Sequence, residues 1–303
     1  MLKKLFFSIV VPTYARPEQL ATCLESLTHL DYPGDRFEVI VVDDGSPNPL
    51  NEVVKPFQAQ LTIQLIRQDN AGPASARNTG AYHAGGDFLI FIDDDCQIHP
   101  NSLKVIATYF HDHPEVLLGG DTINKLSDNI YSAASQLLLD YLYSYYNADC
   151  HQPSFFTSNN MALARDKFQQ IGGFNTNFSL AAAEDREFCD RWLHQGNKMI
   201  YIPEVTVYHA HQLTLKTFCF QHFNYGCGAF RFYQARTQGT NENIKVEPIK
   251  FYLNLLRYPF VQKSSQPEIL LTILFLISQF ANVAGFFRQQ WYQLGSKVTD
   301  IKI

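Results

Sequence analysis

Four short runs, separated by stretches with helical spacing, constrain this chain more than any other feature. Phe6 to Val11, Phe37 to Val42 and Phe88 to Ile92 are almost wholly Val, Ile, Leu and Phe, and Leu61 to Arg67 is a fourth, more polar run. Such composition suits strands buried on both faces. Between them, Arg16 to Leu27 sets Leu20, Cys23, Leu24 and Leu27 on one helical face, and a further helix is expected near Ala74 to Ala84. Strands alternating with helices predict a doubly wound α/β fold, with a mostly parallel central sheet flanked by helices. Right-handed crossovers gather the carboxyl ends of those strands at one edge, where ligands bind at the switch point. Asp43-Asp44-Gly45-Ser46 and Asp93-Asp94-Asp95 each follow a strand directly, so both are expected at that edge. Pro12 reads as the end of the first strand, with Thr13 and Tyr14 beyond it.

Further along, Ile130 to Tyr146 reads as a helix and Gln152 to Asn160 as a polar loop. A helix is expected over Glu184 to Gln195, then two short strands, Met199 to Ile202 and Val205 to His209. From about Leu213 onward the chain reads as helices rich in aromatics. The 303 residues carry 24 Lys plus Arg against 29 Asp plus Glu, a net charge of -5, which argues against a nucleic-acid partner. Apolar residues at 46% and charged residues at 17% exclude a disordered chain. None of the six cysteines forms a Cys-x-x-Cys pair, which argues against a cysteine zinc site and a dense disulfide scaffold. The start, MLKKLFFSIVVPTYARP, has too short an apolar run for a secretory leader, so a cytoplasmic protein is expected.

Ile269 to Phe287 contains no charged residue, and its mean hydropathy of about 2 and its length of ~28 Å suit a membrane-seated helix. A buried helix and a hydrophobic homodimer contact fit the same composition. A membrane-seated helix would put the protein at the inner face of the cell membrane.

Three successive carboxylates at a strand end repel one another, and a divalent cation held by oxygen ligands relieves that repulsion. If the segment is extended, Asp93 and Asp95 face one site and Asp94 another. In company with IVVPTYARP, EVIVVDDGS, DNAGPASARNTG, TSNNMALARDKFQQIGGF and AAEDREFCDRW, the stretch FLIFIDDDC resembles the family 2 glycosyltransferases. These are inverting enzymes of the nucleotide-binding fold called GT-A. The motifs cover about residues 6 to 210, in the family's order.

The resemblance implies a GT-A catalytic domain over 1–212, with a donor half at 1–100 and an acceptor half at 101–212, and a C-terminal helical region over 213–303. It implies a nucleotide-sugar donor, most simply a UDP-sugar, and a glycan or lipid-linked acceptor. Donor contacts fall on Pro12, Thr13, Tyr14, Asp44, Asn70, Arg77 and Asp94, although Arg77 is equally placed to pair with the acidic cluster. Asp95, helped by Asp93, is the implied ligand of Mn²⁺ or Mg²⁺. His209, with His211 as runner-up, is the implied imidazole ligand, which would favour Mn²⁺. Asp185 resembles the catalytic base and Glu184 a residue that orients it or the acceptor; acidic residues at a helix start also simply complement its dipole. Asn159 and Asn160 are implied on the acceptor side, before a turn at Gly172-Gly173-Phe174. Two other classes compete. A sugar nucleotidyltransferase needs a Gly-rich basic loop after the first strand, which PTYARPEQL does not supply; a non-catalytic glycan- or nucleotide-binding module would not need the carboxylates.

Overall fold

The computed structural model of the chain describes residues 5–149, 152–178, 182–240 and 247–299. In chain order the first half runs β1 (Phe7–Thr13), α1 (Pro17–Thr28), β2 (Phe37–Asp43), a single turn α2 (Asn51–Val54), β3 (Ile63–Arg67), α3 (Pro73–His83), β4 (Phe88–Phe91), β5 (Cys96–Ile98) and α4 (Ser102–Asp112). Then come β6 (Leu117–Asn124), α5 (Ile130–Tyr146), β7 (Met161–Ala164), α6 (Arg165–Gln170), α7 (Glu184–His194) and β8 (Met199–His209). The helices α8 (Leu215–Thr240), α9 (Ile249–Val261) and α10 (Glu268–Thr299) follow. Two compact units result: one from Met1–Lys125, Tyr145–Ser179 and Asp185–Ala210, the other from Leu126–Ser144, Leu180–Glu184 and His211–Ile303.

The first unit is built on an eight-stranded sheet in the order β3-β2-β1-β4-β7-β6-β8-β5. Strands β1 to β4 are parallel, as the alternation predicts. The other half is mixed: β7 runs antiparallel to β4 and β6, β5 antiparallel to β8, and β6 parallel to β8. The chain winds outward from β1 to β3 and then returns to β4 on β1's other side, so the switch point lies between the ends of β1 and β4. Leu20, Cys23, Leu24 and Leu27 of α1 pack on Phe7, Ile9, Val11, Val39 and Val41 in one buried core. Each such side chain contributes about 1.5–3 kcal/mol by leaving water.

Pro12 does not end the first strand. The β1–β2 ladder continues through Pro12–Val42 to Thr13–Asp43, because successive residues of a strand direct their polar groups to opposite sides. The Val10 carbonyl accepts from Ile92 on the β4 side, and the Thr13 carbonyl accepts from Asp44 on the β2 side. The missing N–H of Pro12 therefore falls on the β4 side, where pairing has already stopped at Val10–Phe91.

The stretch expected to form two strands near the end of this unit is one continuous strand, β8. Its pairing with β6 jumps from Gly120–Ile202 to Asp121–Thr206, which frees backbone carbonyls at the bulge. Asn160, in a short turn just before β7, donates its side-chain amide to Asp121 O (2.8 Å) and Val205 O (2.9 Å). It is buried, and it clasps the two strands where their own ladder fails.

In the second unit, Leu137, Leu138 and Tyr141 of α5 share a core with Phe218, Phe251, Leu255, Leu271 and Phe275, and Tyr141 Oη donates to Phe251 O at 2.6 Å. Helices α8 and α10 touch at glycines: a Cβ at Gly226 would lie 1.8 Å from Asn282 O, and one at Gly285 would lie 1.9 Å from Phe223 O. Glu268–Gln293 is long and apolar enough to cross a membrane by length and composition, the mean hydropathy of its most apolar stretch being 2.0, yet only 28% of that stretch is buried. The wholly buried reading of this segment is thereby excluded.

Asn160→Ala should cost about 1–3 kcal/mol, the penalty of leaving buried carbonyls without donors. Denaturant unfolding measures it, and a stability equal to the parent's would contradict the clasp.

Candidate active site

The site grows from the ends of β1, β2 and β4. Strand β1 delivers Thr13, buried, whose Oγ1 donates to Asp94 Oδ2 at 2.7 Å. Tyr14 follows, 48% exposed, with its ring free to lie against a planar ligand. Ala15 takes a left-handed φ of 55°, and its N–H donates to Ser46 Oγ at 2.8 Å. This tight turn aims Arg16 back at the acidic cluster. Its guanidinium lies 3.2 Å from Asp94 Oδ1 and 3.1 Å from Asp95 Oδ2.

At the end of β2 the two aspartates divide their work. Asp43 Oδ1 accepts Ser46 N–H at 2.9 Å, closing an Asx turn, and its other oxygen faces Arg67 at 3.5 Å. Asp44 reaches across to the next loop: Oδ1 accepts from Gln68 Nε2 (2.7 Å) and Ala71 N–H (2.9 Å), and Oδ2 accepts from Gly72 N–H (2.8 Å). Gly72 caps α3 with φ 88°, a conformation that favours glycine. Asn70 adds a bond from its amide to Asp44 O at 2.9 Å. A carboxylate has about four acceptor sites, so the latch leaves room on Oδ2 for one further donor.

The acidic triplet does not alternate as an extended segment would. Strand β4 ends at Phe91, and Cys96 N–H donates to Asp93 O at 3.1 Å, so residues 93–96 form a tight turn. Asp94 and Asp95 therefore share Arg16, while Asp93 Oδ1 pairs with Arg77 Nη2 of α3 at 2.6 Å. The alternative partner considered for Arg77, the acidic cluster, is the one observed. Strand β5 pairs Cys96 with His209 of β8, and this register brings His209 Nε2 to 3.2 Å from Asp95 Oδ1.

Electrostatics follow from that geometry. Burial raises the Asp94 carboxyl to about 6, against the opposing pull of Arg16. Burial alone would lower His209, but its hydrogen bond and charge contact with Asp95 outweigh that and raise it. An oxygen and an imidazole nitrogen 3.2 Å apart match neighbouring ligands of an octahedral ion, which lie about 3 Å apart for bonds of 2.0–2.1 Å. Asp95 and His209 are thus spaced as two neighbouring ligands of a divalent cation. His211, two residues on, begins the second unit.

Asp185 stands at the start of α7, its Oδ1 accepting the Arg186 N–H at 2.7 Å. The Arg186 guanidinium donates to Tyr146 Oη at 3.0 Å and lies over that ring. Glu184, the preceding residue, is buried and belongs to the second unit. Glu187 and Arg191 form a two-point pair at 2.8 and 2.9 Å, and Arg191 donates to Gly173 O. Asn78 clasps the backbone of Phe174 from the other side. The Gly172-Gly173-Phe174 turn is thus held by α3 and α7. Asn159 Oδ1 accepts from Thr157 Oγ1 at 2.7 Å. Its amide and that of Asn160 are both buried among protein atoms.

Sequence reasoning overlooked Arg16. Its signal was a lone basic residue between the first strand and its helix, facing two acidic clusters across the sheet edge.

A model of glycosyl transferase family 2 matches residues 8–172, and one of the N-terminal domain of galactosyltransferase matches residues 139–213. Poly(ribitol-phosphate) beta-N-acetylglucosaminyltransferase TarS of Staphylococcus aureus is 34% identical over 115 residues, which is 37% of this chain and 20% of that protein. The dolichyl N-acetyl-alpha-D-glucosaminyl phosphate 3-beta-D-2,3-diacetamido-2,3-dideoxy-beta-D-glucuronosyltransferase of Methanococcus voltae is 25% identical over 232 residues, 73% of this chain and 72% of that protein. Thus the chain spans about a fifth of TarS but most of the Methanococcus enzyme. Among solved structures, the mannosyltransferase PcManGT from Pyrobaculum calidifontis, in complex with GDP-Man and Mn²⁺, superposes with TM-score 0.68 at 18% identity. The match covers 96% of this chain and 88% of that one. S. aureus TarS in complex with UDP-GlcNAc superposes at TM-score 0.55 and 18% identity, over 96% and 92% of the two chains. At these identities the structures share the fold.

Arg16→Ala should lower the melting temperature of the metal-free chain by a few degrees, about 1 kcal/mol for a half-exposed guanidinium. It should also enlarge the rise produced by Mn²⁺, which then meets no guanidinium on Asp94 and Asp95. A thermal-shift titration measures both, and an unchanged Mn²⁺ response would contradict the competition.

Proposed function

The chain belongs to glycosyl transferase family 2, and from that premise we propose an inverting transfer of a sugar from a nucleoside-diphosphate donor to an acceptor hydroxyl. The donor is a UDP-sugar and the acceptor a glycan or lipid-linked glycan, with the reaction on the cytoplasmic side. The observation that carries this reading is the convergence of Thr13, Arg16, Asp94, Asp95 and His209 at the β1–β4 switch point. Two relatives supply the chemistry of the proposal: TarS was solved with UDP-GlcNAc, and PcManGT with GDP-Man and Mn²⁺.

Each element then has a task. Tyr14 stacks on the base, and Asp44 accepts its imide N–H at the remaining site on Oδ2 while the same carboxylate keeps the Asn70–Gly72 loop in place. Pro12 shapes the approach of β1 to that base. Asp94, held by Thr13, accepts from the ribose hydroxyls. Asp95 and His209 would hold a divalent ion, Mn²⁺ rather than Mg²⁺ because of the imidazole, with Asp93 in support. When bound, the metal stabilises negative charge that gathers on the diphosphate as the glycosidic bond breaks. Arg16 and Arg77, which neutralise the carboxylates of the free chain, turn to the phosphates as the donor arrives. Asp185 accepts the proton of the attacking hydroxyl at a carboxylate oxygen, on the face of the sugar opposite the diphosphate. Glu184 orients the acceptor, and Asn159 and Asn160 form the floor beneath it.

Asp185→Asn should leave UDP affinity unchanged and lower sugar transfer by about 10²–10⁴-fold, the usual contribution of a general base. Calorimetric titration of UDP with Mn²⁺, alongside UDP release from a panel of UDP-sugars, tests both; substantial retained turnover would refute the role. In the same assay His209→Ala should abolish the preference for Mn²⁺ over Mg²⁺, and an unaltered preference would remove the imidazole from the site.

A further inference from the structure

The second unit presents an apolar face that none of its described residues covers. On α10, Ile273, Phe280 and Phe287 recur every seven residues and are all exposed, Phe280 by 75%. Seven residues make about two turns, so they form one stripe. The opposite side of α10 is already occupied, with Leu271, Leu274, Phe275 and Ser278 buried and the α8 backbone touching at Gly226 and Gly285. A helix sealed along one side by a neighbour carrying Gln, Asn and Arg is not surrounded by lipid, which argues against a span. On α9, Ile249, Leu253 and Phe260 form a second exposed stripe, and Tyr141 and the α10 residues Leu271 and Phe275 share the core beneath it. Trp291 and Tyr292, both strongly exposed, end the α10 stripe with the amphipathic rings that settle at a bilayer's polar boundary.

Charge decides the occupant. Between positions 249 and 293 stand four basic residues, Lys250, Arg257, Lys263 and Arg288, against the single acid Glu268, in a chain whose net charge is -5. All four bases are exposed. Lys250 and Arg257 are seven apart and lie less than a quarter-turn round α9 from the middle of the stripe of Ile249, Leu253 and Phe260, so they edge it on the same side. An apolar stripe bordered by long basic side chains suits the boundary between acyl chains and anionic headgroups, where lysine and arginine stems lie on the apolar surface and their heads reach the phosphates. Isologous pairing with a second copy would instead set like charges together.

We propose that the α9–α10 face docks on an anionic lipid surface, lying in the headgroup layer without spanning the bilayer. This docking is independent of the transfer reaction, since binding to lipid needs no donor or acceptor. The test is sedimentation of the full chain with phosphatidylcholine vesicles, with and without phosphatidylglycerol. The parent should sediment at least about fivefold more with the anionic vesicles, given about a fivefold gain for each base near the surface, and added salt should weaken it. Leu253→Glu with Phe280→Glu, both on the exposed stripes, should abolish sedimentation while the melting temperature stays near the parent's. Lys250→Ala with Arg257→Ala, which leaves the stripes intact, should lower binding to the anionic vesicles by about tenfold or more. Equal binding to both kinds of vesicle, no binding to either, or no effect of either double variant would overturn the proposal. So would a dimer in solution that Leu253→Glu with Phe280→Glu dissociates, because the face would then belong to a second copy.

Discussion

Three neighbouring carboxylates at the end of β4 are the constraint around which the first unit is arranged. Like charges about 4 Å apart repel by about 1 kcal/mol in water and about 4 kcal/mol near a protein surface, so each needs a partner, and the partners come from α3, the end of β1 and β8. Asp93 takes Arg77 from α3, Asp94 takes Thr13 and Arg16 from the end of β1, and Asp95 takes Arg16 and His209 from β8. Compensating the charge therefore ties together strands far apart in sequence. The cluster cannot be moved without disturbing the β1 turn, α3 and the β5–β8 pairing.

The arrangement carries a cost that points to its use. Asp94 titrates at about 6 in the folded chain, whereas a free aspartate titrates near ~3.9. A carboxyl that keeps its proton to higher pH when folded makes folding less favourable as pH rises across that window, and the loss persists above it. Burying such a group on a rigid sheet edge is poor design for stability alone and sound design for holding a ribose or a cation. On the proposed reading Arg16 holds part of that positive charge in the free chain, and its half-exposed side chain yields the place when the cation arrives.

Much of this was legible in the sequence, for identifiable reasons. Helix α5 begins and ends at the residues expected, Ile130 and Tyr146, and β1, β2 and β4 fall on the three almost wholly apolar runs. Strands β5 and β7, of three and four residues, are too short for periodicity to mark. The boundary expected at Pro12 was displaced because pairing on one side had ended before the proline could be missed. The alternation expected of Asp93 to Asp95 failed because a turn follows the strand at once. The clasp made by Asn160 was not legible, because its partners are two carbonyls exposed by a bulge 39 and 45 residues away, which no local pattern encodes. Arg16 was overlooked for the same reason: its partners lie 78 and 79 residues ahead.

The central claim is that Asp95 and His209 hold the metal that accompanies the nucleotide. Electron paramagnetic resonance of free Mn²⁺, titrated with the chain in the presence of UDP, measures this without any acceptor. The account predicts about one Mn²⁺ bound per chain, and a loss of affinity of at least about tenfold in each of Asp95→Asn and His209→Ala, because removing either ligand vacates a coordination position. Parent-like Mn²⁺ binding in both variants would contradict it.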